Sequence, residues 1–408
     1  MRLAARQASG VQDDFEHDAD PIYLDHNATT PVDPRVLEAM LPYFTRIFGN
    51  AASHTHAYGW RAEAGVDDAR SVVASLLDVS PTEVVFTSGA TEANNLALTG
   101  VMNARREPGH LITVATEHKA VLDTAAALQR AGHAVTILPV DPEGRVSPGA
   151  VLAALRSDTR LVSVMHGNNE IGTVQPIAAL AALCHERGIL LHTDAAQTVG
   201  KLPMTAPSLG ADLISFSGHK LYGPKGIGAL IVRSESRHQI SAIQHGGGHE
   251  WGLRSGTLPV PLVVGLAAAL RVAEQDLEDE GARLARLRDQ LWAGIAGLPE
   301  VYLNGPLPGP ERLPHNLNVS VGYVEPDAML MAMPDLAVST GSACTSDSQE
   351  PSYVLSAIGR QGMLAKAAVR FGLGRMTTDA HVTTAIASFR SAVERLRSMS
   401  PLWADRRV

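Results

Sequence analysis

Cysteine is scarce in this sequence, which has only Cys184 and Cys344 among its 408 residues. Two cysteines provide no disulfide framework, so we expect the reducing environment of the cytoplasm. No apolar run approaches the roughly 20 residues that span a bilayer, so no membrane association is expected. The net charge of −8 argues against broad contact with a phosphate backbone, and we expect no direct nucleic-acid binding.

The N-terminal segment also lacks a hydrophobic signal region. Residues 1–20 begin weakly basic and become acidic, which does not suit a mitochondrial transit peptide. We expect these residues to form a flexible lead. The remaining composition, 45% hydrophobic and 19% charged, is typical of a globular enzyme, and the length predicts two domains.

The first half of the chain alternates β-rich and helical runs, which predicts an α/β domain with a mostly parallel sheet covered on both faces. The β-rich runs are EVVFTS (83–88), LITVAT (111–116), AVTILPV (134–140), RLVSVMH (160–166), ILLHTDA (189–195) and LISFSGH (213–219). Beyond residue 260 a long helical stretch at 262–297 is followed by NLNVSVGYV and an amphipathic C-terminal helix. We predict a large domain over 21–275, whose first 15 or so residues could pack on the second domain. A smaller α+β domain is predicted over 276–400.

Chemically useful residues follow several of the predicted strands. Gly89, Ala90 and Thr91 open a helix after EVVFTS, and such a turn can bind a phosphate through free N–H groups and the helix dipole. Asp194 emerges from the apolar run ILLHTDA, where a carboxylate is costly unless it meets a cation or several donors. A protonated pyridinium nitrogen is such a partner.

Lys220 directly follows the apolar run LISFSGH and is braced by the glycines of LYGPKGIGAL. Desolvation and a neighbouring positive charge would lower the pKa of this lysine, as a covalently acting amine requires. Because the carboxyl ends of parallel strands meet at one edge, we expect Lys220, Asp194 and the phosphate turn to converge there. This combination predicts a pyridoxal 5′-phosphate site.

The two cysteines have contrasting surroundings. Cys344 lies in STGSACTSDSQEPS, where small and polar residues dominate and no periodicity survives. We therefore predict that it sits on an exposed, mobile loop at about 339–350. Cys184 lies in ALAALCHERG, a helical run of core-type residues, and is expected to be inert.

Ten sequence runs together resemble the cysteine desulfurases, pyridoxal-phosphate enzymes of the class-V aminotransferase family. The runs span nearly everything after the lead: YLDHNATTPVDP, FGNAAS, FTSGATEANNLA, TEHKAVLD, HGNNEIGTVQPI, HTDAAQTVGKLP, SFSGHKLYGPKGIGAL, GGGHEWGLRSGTLPV, GSACTSDSQEPSYVL and VRFGLGRMTT. The resemblance implies the aminotransferase-like fold type I, with a seven-stranded, mostly parallel sheet in the large domain. Its long cysteine loop is similar to that of the nitrogen-fixation and iron–sulfur-assembly members.

The resemblance also implies how the cofactor is held. Lys220 matches the lysine that binds it covalently, and Asp194 the partner of its pyridine nitrogen. Gln197 matches the donor to the ring's phenolic oxygen, and His118 the imidazole stacked on the ring, which would carry protons. The implied phosphate ligands are Ala90 (through its backbone), Thr91, Ser217, His219 and, from a second subunit, Thr257. A homodimer with shared sites follows from this last assignment, and no metal is expected.

For the substrate, the resemblance implies that Arg370 clamps the carboxylate of L-cysteine and that Asn169 lies near its amine. Cys344 would take up the sulfur as a persulfide, L-alanine would be released, and a protein acceptor would receive the sulfur. The sequence departs from the usual pattern at Gly167 and His26, which affects packing and fine positioning rather than a catalytic group.

Several alternatives stay open on the sequence alone. A selenocysteine lyase, or another class-V lyase or aminotransferase, would not need the cysteine loop, and a non-enzymatic scaffold would not need Lys220. The acceptor could serve iron–sulfur cluster assembly, tRNA thiolation or DNA phosphorothioation. Housekeeping desulfurases often continue into a tail that helps to dock the iron–sulfur scaffold, whereas this sequence ends with SPLWADRRV. This difference weakens, without excluding, an assignment to general cluster assembly, and the sequence does not choose among the pathways.

Overall fold

The computed structural model describes residues 20–340 and 351–405. Within these ranges the chain forms twelve strands: β1 (Ile22–Tyr23), β2 (Val84–Thr87), β3 (His110–Val114), β4 (Ala134–Leu138), β5 (Thr159–Ser163), β6 (Leu190–Asp194), β7 (Leu213–Ser217), β8 (Gly228–Val232), β9 (Val301–Leu303), β10 (Asn316–Val321), β11 (Leu336–Ala337) and β12 (Ala368–Gly372).

The central feature is a seven-stranded sheet with the order β2-β8-β7-β6-β5-β3-β4. Strands β3 to β7 pair in parallel, and β8 runs antiparallel to both of its neighbours. The predicted mostly parallel sheet is confirmed. Strand β8 begins within the last three residues of the run LYGPKGIGAL, where the glycines concealed the start of a five-residue strand that is buried along its whole length.

Helices cover both faces of this sheet, as its buried, non-alternating strands require. The described helices are α1 (Pro34–Thr45), α2 (Ala57–Leu77), α3 (Ala90–Met102), α4 (Lys119–Arg130), α5 (Pro148–Ala154), α6 (Ile177–His185), α7 (Ala206–Leu209), α8 (Val260–Ile295), α9 (Pro326–Met331), α10 (Tyr353–Ala357), α11 (Met363–Lys366), α12 (Asp379–Met399) and α13 (Pro401–Asp405). Successive sheet residues enter opposite cores, with Phe86 in one and Val85 in the other. None of the helices in the described ranges combines the length and apolarity needed to cross a bilayer.

The 36-residue helix α8 joins two hydrophobic cores. Its first half contributes Val263 and Leu266 to the core under the large sheet. Its second half contributes Leu287 and Leu291 to a separate core with β10, β12 and α12. The predicted domain boundary at 275 falls inside this continuous helix.

The N-terminal residues of the large domain cross to the second core. Strand β1 pairs in parallel with β11, and Leu24 belongs to the core formed with β10, β12 and α12. The three-stranded sheet β12-β10-β9 lies beside them. Residues 25–33 then return to the edge of the large sheet, where Thr30 N donates to His219 O at 2.9 Å. This crossing brings backbone from the chain's start next to Lys220.

Candidate active site

A cavity of about 570 Å³ lies at the carboxyl ends of the large sheet's strands. Its size suits a small organic ligand. Ten of the residues singled out from the sequence line it together: Ala90, Thr91, His118, Asn169, Asp194, Gln197, Ser217, His219, Lys220 and Arg370. They come from six separate segments: five meet at the edge of the large sheet, and the sixth, with Arg370, reaches the cavity from β12.

One end of the cavity is built to receive an anion. Gly89 precedes helix α3 with φ of +148°, a backbone conformation that favours glycine, and it turns the chain so that the helix begins at the cavity wall. The first N–H groups of a helix have no partner within it, and the helix dipole adds a positive potential. Ser217 ends β7, His219 follows it in a short turn, and both line the same cavity. The arrangement is suited to a phosphate group.

His219 is held in its neutral form. Burial lowers the pKa of His219 to about 4, with a further contribution from the nearby charge of Lys220. Its Nδ1 lies 3.1 Å from the Thr29 hydroxyl. If that hydroxyl donates to Nδ1, Nε2 carries the ring's proton and can donate to an anionic oxygen.

Asp194 forms another wall of the cavity, at the end of β6. Both of its oxygens already accept hydrogen bonds: Asn94 Nδ2 donates to Oδ2 at 2.7 Å, and Ala196 N donates to Oδ1 at 2.9 Å. Donors to a carboxylate stabilise its ionised form and fix its orientation. Asp194 is therefore a fixed acceptor for a protonated ring nitrogen.

A second carboxyl group, Glu117, lies behind this wall and is fully buried. Burial raises the pKa of Glu117 well above its usual range, and the charge of Asp194 raises it further. Its Oε1 accepts a hydrogen bond from Met165 N at 2.6 Å. Burial of Glu117 thus favours its neutral form.

Lys220 extends from a short turn after β7 into the cavity. Its Nζ donates to two backbone carbonyls of the N-terminal segment, Asn27 O at 2.7 Å and Ala28 O at 2.6 Å. A second lysine, Lys201, lies close enough to be affected by its charge. Burial lowers the pKa of Lys201 to about 7, and Lys220 contributes to that decrease. The two lysines therefore lie in each other's electrostatic field at this end of the cavity.

His118 and Gln197 complete the ring-binding region. His118 precedes α4, where its Nδ1 accepts a hydrogen bond from Ala120 N at 3.1 Å. That bond fixes the ring and places the proton of the neutral imidazole on Nε2. The amide of Gln197 donates to Asn27 O at 2.9 Å. The amide's second N–H is available to a ligand.

Arg370 closes the cavity from the second core, on strand β12. Its Nη1 donates to Asn169 O at 3.1 Å, and its Nη2 contacts Asp25 Oδ1 at 2.7 Å. The guanidinium is buried, with 1% of the side chain exposed. A buried guanidinium at a cavity wall is suited to binding a carboxylate.

Taken together, the donors and acceptors fit pyridoxal phosphate. The α3 N-terminus and His219 match its phosphate, Asp194 matches its ring nitrogen, and Lys220 matches its aldehyde. Gly89 provides the space and backbone direction that the phosphate end requires.

Thr257 is not among the residues that line this cavity; it lies on a loop whose Arg254 pairs with Glu92 at 2.7 Å. Cys344 lies outside the described residues. Cys184 is fully buried, and burial raises the pKa of its thiol to about 12, as expected for an inert cysteine.

Sequence reasoning missed several residues that support the site. Asp25 and Asn27 lie in YLDHNATTPVDP, and Asn94 lies in FTSGATEANNLA. Both runs resemble family motifs, but a motif does not show which of its polar side chains form hydrogen bonds with one another. Two adjacent asparagines on a helix that begins at a phosphate turn were the one usable signal, because one of them had to face the sheet.

The comparisons with known proteins agree with this geometry. The family model "Aminotransferase class-V" matches residues 22–384. The cysteine desulfurase IscS of Photorhabdus laumondii subsp. laumondii is 54% identical over 386 residues, which are 94% of this chain and 95% of the relative. A solved structure named "NIFS-LIKE PROTEIN" matches with a TM-score of 0.86 at 35% identity, covering 92% of this chain and 100% of that one. Another, "SspA in complex with cysteine", matches with a TM-score of 0.77 at 38% identity, covering 86% and 98%.

Proposed function

Because this chain belongs to the aminotransferase class-V family and, within it, to the cysteine desulfurases, we propose that its own residues bind pyridoxal phosphate, convert L-cysteine to L-alanine and carry the sulfur away on Cys344. The observation that carries the proposal is the convergence of Lys220, Asp194 and Arg370 on the cavity that begins at helix α3. These groups supply a covalent anchor, a partner for a ring nitrogen and a carboxylate clamp.

The cofactor would be held at its phosphate, at its ring nitrogen and, through Lys220, at its aldehyde carbon. The N-terminus of α3 at Ala90 and Thr91, with Ser217 and His219, would bind the phosphate. Asp194 would accept a hydrogen bond from the ring nitrogen and keep it protonated. When bound, pyridoxal phosphate supplies an electron sink for the charge that develops at the substrate's Cα.

The substrate would be oriented by its carboxylate and activated by a lysine. Arg370 would bind the carboxylate of L-cysteine through its planar fork, with Asn169 beside the amine. Lys220, whose Nζ reaches the cavity from the turn after β7, would take the proton from Cα. His118 would move a second proton through Nε2.

Sulfur transfer would use Cys344. Its thiolate Sγ would form a bond to the substrate sulfur while the Cβ–S bond breaks. The electron pair of that bond goes to carbon, which takes a proton and leaves as alanine. The transferred sulfur stays on Cys344 as a persulfide and then passes to a protein acceptor.

The described residues on both sides of the 341–350 segment support this role. Ser339 Oγ donates to Asp25 Oδ1 at 3.1 Å, beside Arg370. Ser352 Oγ donates to Glu170 Oε2 at 2.6 Å, next in sequence to Asn169. Both flanks thus contact the neighbours of cavity residues.

A homodimer is part of the proposal. Helix α1 exposes Leu37, Leu41 and Phe44, which share one face at helical spacing, and Phe48 follows the helix with 63% of its surface exposed. Contiguous exposed apolar patches typically mark surfaces that bind another protein. A second copy covering this surface would contribute Thr257 to the phosphate site. We further propose a cytoplasmic location.

The experiment that tests this function follows sulfur on the protein. The purified holoenzyme is mixed with L-cysteine, alanine is quantified, and the Cys344 peptide is examined for one added sulfur atom by mass spectrometry. Cys344→Ala should still bind the cofactor but lose the persulfide, and Lys220→Ala should lose the visible absorbance of the lysine-bound cofactor. Cys184→Ala is the matched control and should keep both.

Two outcomes would replace this proposal. If Cys344→Ala kept full turnover, a lyase such as one acting on selenocysteine would be favoured. If the purified protein took up no pyridoxal phosphate at all, a non-enzymatic role in a sulfur-transfer complex would be favoured. Incubation of the persulfide form with candidate acceptors for iron–sulfur assembly, tRNA thiolation and DNA phosphorothioation then identifies the pathway.

A further inference from the structure

Asp25, to which the motif analysis assigned no role, is in direct contact with Arg370. Its Oδ1 lies 2.7 Å from Arg370 Nη2, and the two side chains are 18% and 1% exposed. Removing one partner of such a shielded pair leaves a buried charge uncompensated, which is strongly unfavourable. The pair therefore persists whether or not a substrate is bound.

The contact fixes the direction of the guanidinium. Arg370 Nη1 donates to Asn169 O at 3.1 Å, so the planar group is held from two sides. Its backbone is fixed as well, because β12 pairs with β10 and Arg370 N donates to Ser339 O at 2.7 Å. An arginine held at two of its nitrogens loses little further freedom when a carboxylate binds.

Asp25 is itself fixed by residues outside the cavity. It lies two residues after β1 and forms an isolated bridge with Gly372, and its Oδ1 also accepts a hydrogen bond from Ser339 Oγ at 3.1 Å. A single carboxylate oxygen thus accepts from both Arg370 and Ser339. Neither contact requires the negative charge, since a neutral carbonyl oxygen accepts in the same geometry.

We propose that Asp25 is a positioning residue that orients Arg370, and that this orientation lets the site select amino acids with a free carboxylate over the corresponding amines. The inference rests on the proposed role of Arg370 as the carboxylate clamp. In the alternative, purely structural role, Asp25 would tie β1 to β12 and affect all ligands equally. The two roles differ in what they predict for a ligand that lacks a carboxylate.

The test compares L-alanine with ethylamine, which is the same molecule without the carboxylate. Their dissociation constants are measured by absorbance titration of the holoenzyme, and the preference for L-alanine is their ratio. Asp25→Ala should lower this preference by about tenfold or more, the change that about 1.4 kcal/mol represents. Asp25→Asn should keep most of it, because the amide oxygen can still accept from Arg370.

Controls separate this inference from the proposed function. Asp379→Ala removes an exposed aspartate–arginine contact, with Arg286, and should leave the preference unchanged. Arg370→Ala should abolish the preference; if it does not, the proposed role of Arg370 is wrong. If Asp25→Ala does not fold, Asp25→Ser, whose hydroxyl is too short to reach the guanidinium, takes its place.

The inference is overturned, with the role of Arg370 intact, in two cases. In the first, Arg370→Ala loses the preference while Asp25→Ala keeps it, or weakens both ligands equally. In the second, Asp25→Asn loses the preference as fully as Arg370→Ala, which would mean that charge rather than orientation matters.

Discussion

The contact between Asn94 and Asp194 gives a quantitative prediction for cofactor binding. Asn94 is fully buried on α3, and its Nδ2 donates to Asp194 Oδ2 at 2.7 Å. Asn94→Ala removes that donor and leaves Asp194 with the backbone N–H of Ala196. Asp194 should then be less well oriented toward the ring nitrogen and less stable as the anion that keeps this nitrogen protonated.

The size of the effect follows from the type of bond. A hydrogen bond to a charged group contributes about 1.5–3 kcal/mol, and about 1.4 kcal/mol corresponds to a tenfold change in a dissociation constant. If most of that energy is expressed when the ring nitrogen binds, the dissociation constant of pyridoxal phosphate should rise roughly 10- to 100-fold. The assay titrates apoprotein with the cofactor and follows its visible absorbance.

The neighbouring residue provides a matched control. Asn95 lies on the same helix, but its Nδ2 donates to Thr91 O at 2.9 Å and not to the site's carboxylate. Asn95→Ala should change the dissociation constant much less than Asn94→Ala. Equal losses in both variants would mean that helix α3, and not the contact with Asp194, is responsible. An unchanged dissociation constant in Asn94→Ala would refute the reasoning outright.

A second substitution tests how charge at position 94 affects cofactor binding. Asn94→Asp replaces the donor by a carboxyl group of the same shape, and two adjacent carboxylates raise the pKa of one of them. When protonated, the new carboxyl can donate to Asp194 as Asn94 does. Cofactor affinity of this variant should therefore be highest at low pH and fall as the pH rises through the raised pKa. The wild type lacks the second carboxyl group, so its cofactor affinity should not show this fall as the pH rises.

Three other predictions concern stability and reactivity. Glu250→Gln breaks a buried bidentate pair with Arg70 and should lower the free energy of unfolding by about 3–5 kcal/mol, measured in urea, whereas Asp379→Asn at an exposed pair should change it little. Cys184→Ala should not affect sulfur release, and the buried Cys184 thiol should react with a thiol reagent only after unfolding, because its pKa is raised to about 12. The pKa of Lys201 is lowered from 10.5 to about 7 by folding, so the unfolded chain binds the extra proton and stability should rise with pH across that interval. Lys201→Met should remove this part of the rise, and an identical slope in both proteins between pH 7 and pH 10.5 would contradict the assignment.

The position of the site could be predicted from the sequence because it depends on strand order alone. Alternating β-rich and helical runs indicate a parallel sheet, and parallel strands end at one edge. Lys220, Asp194 and the turn at Gly89 each follow such a run, so they had to meet. Strand β8 was missed because its glycine-rich approach resembles a loop, and only pairing with two neighbours makes it a strand.

What the sequence by itself determined about this protein is therefore the fold class, the family and the groups that bear the chemistry. Only the tertiary structure decided which polar groups support them. Asn94 and Asp194 are 100 residues apart, Asp25 and Arg370 are 345 apart, and Lys220 meets carbonyls 192 and 193 residues earlier. Periodicity reports which face of a helix or strand is buried, and it carries no information about a partner that the chain reaches only after crossing to another core.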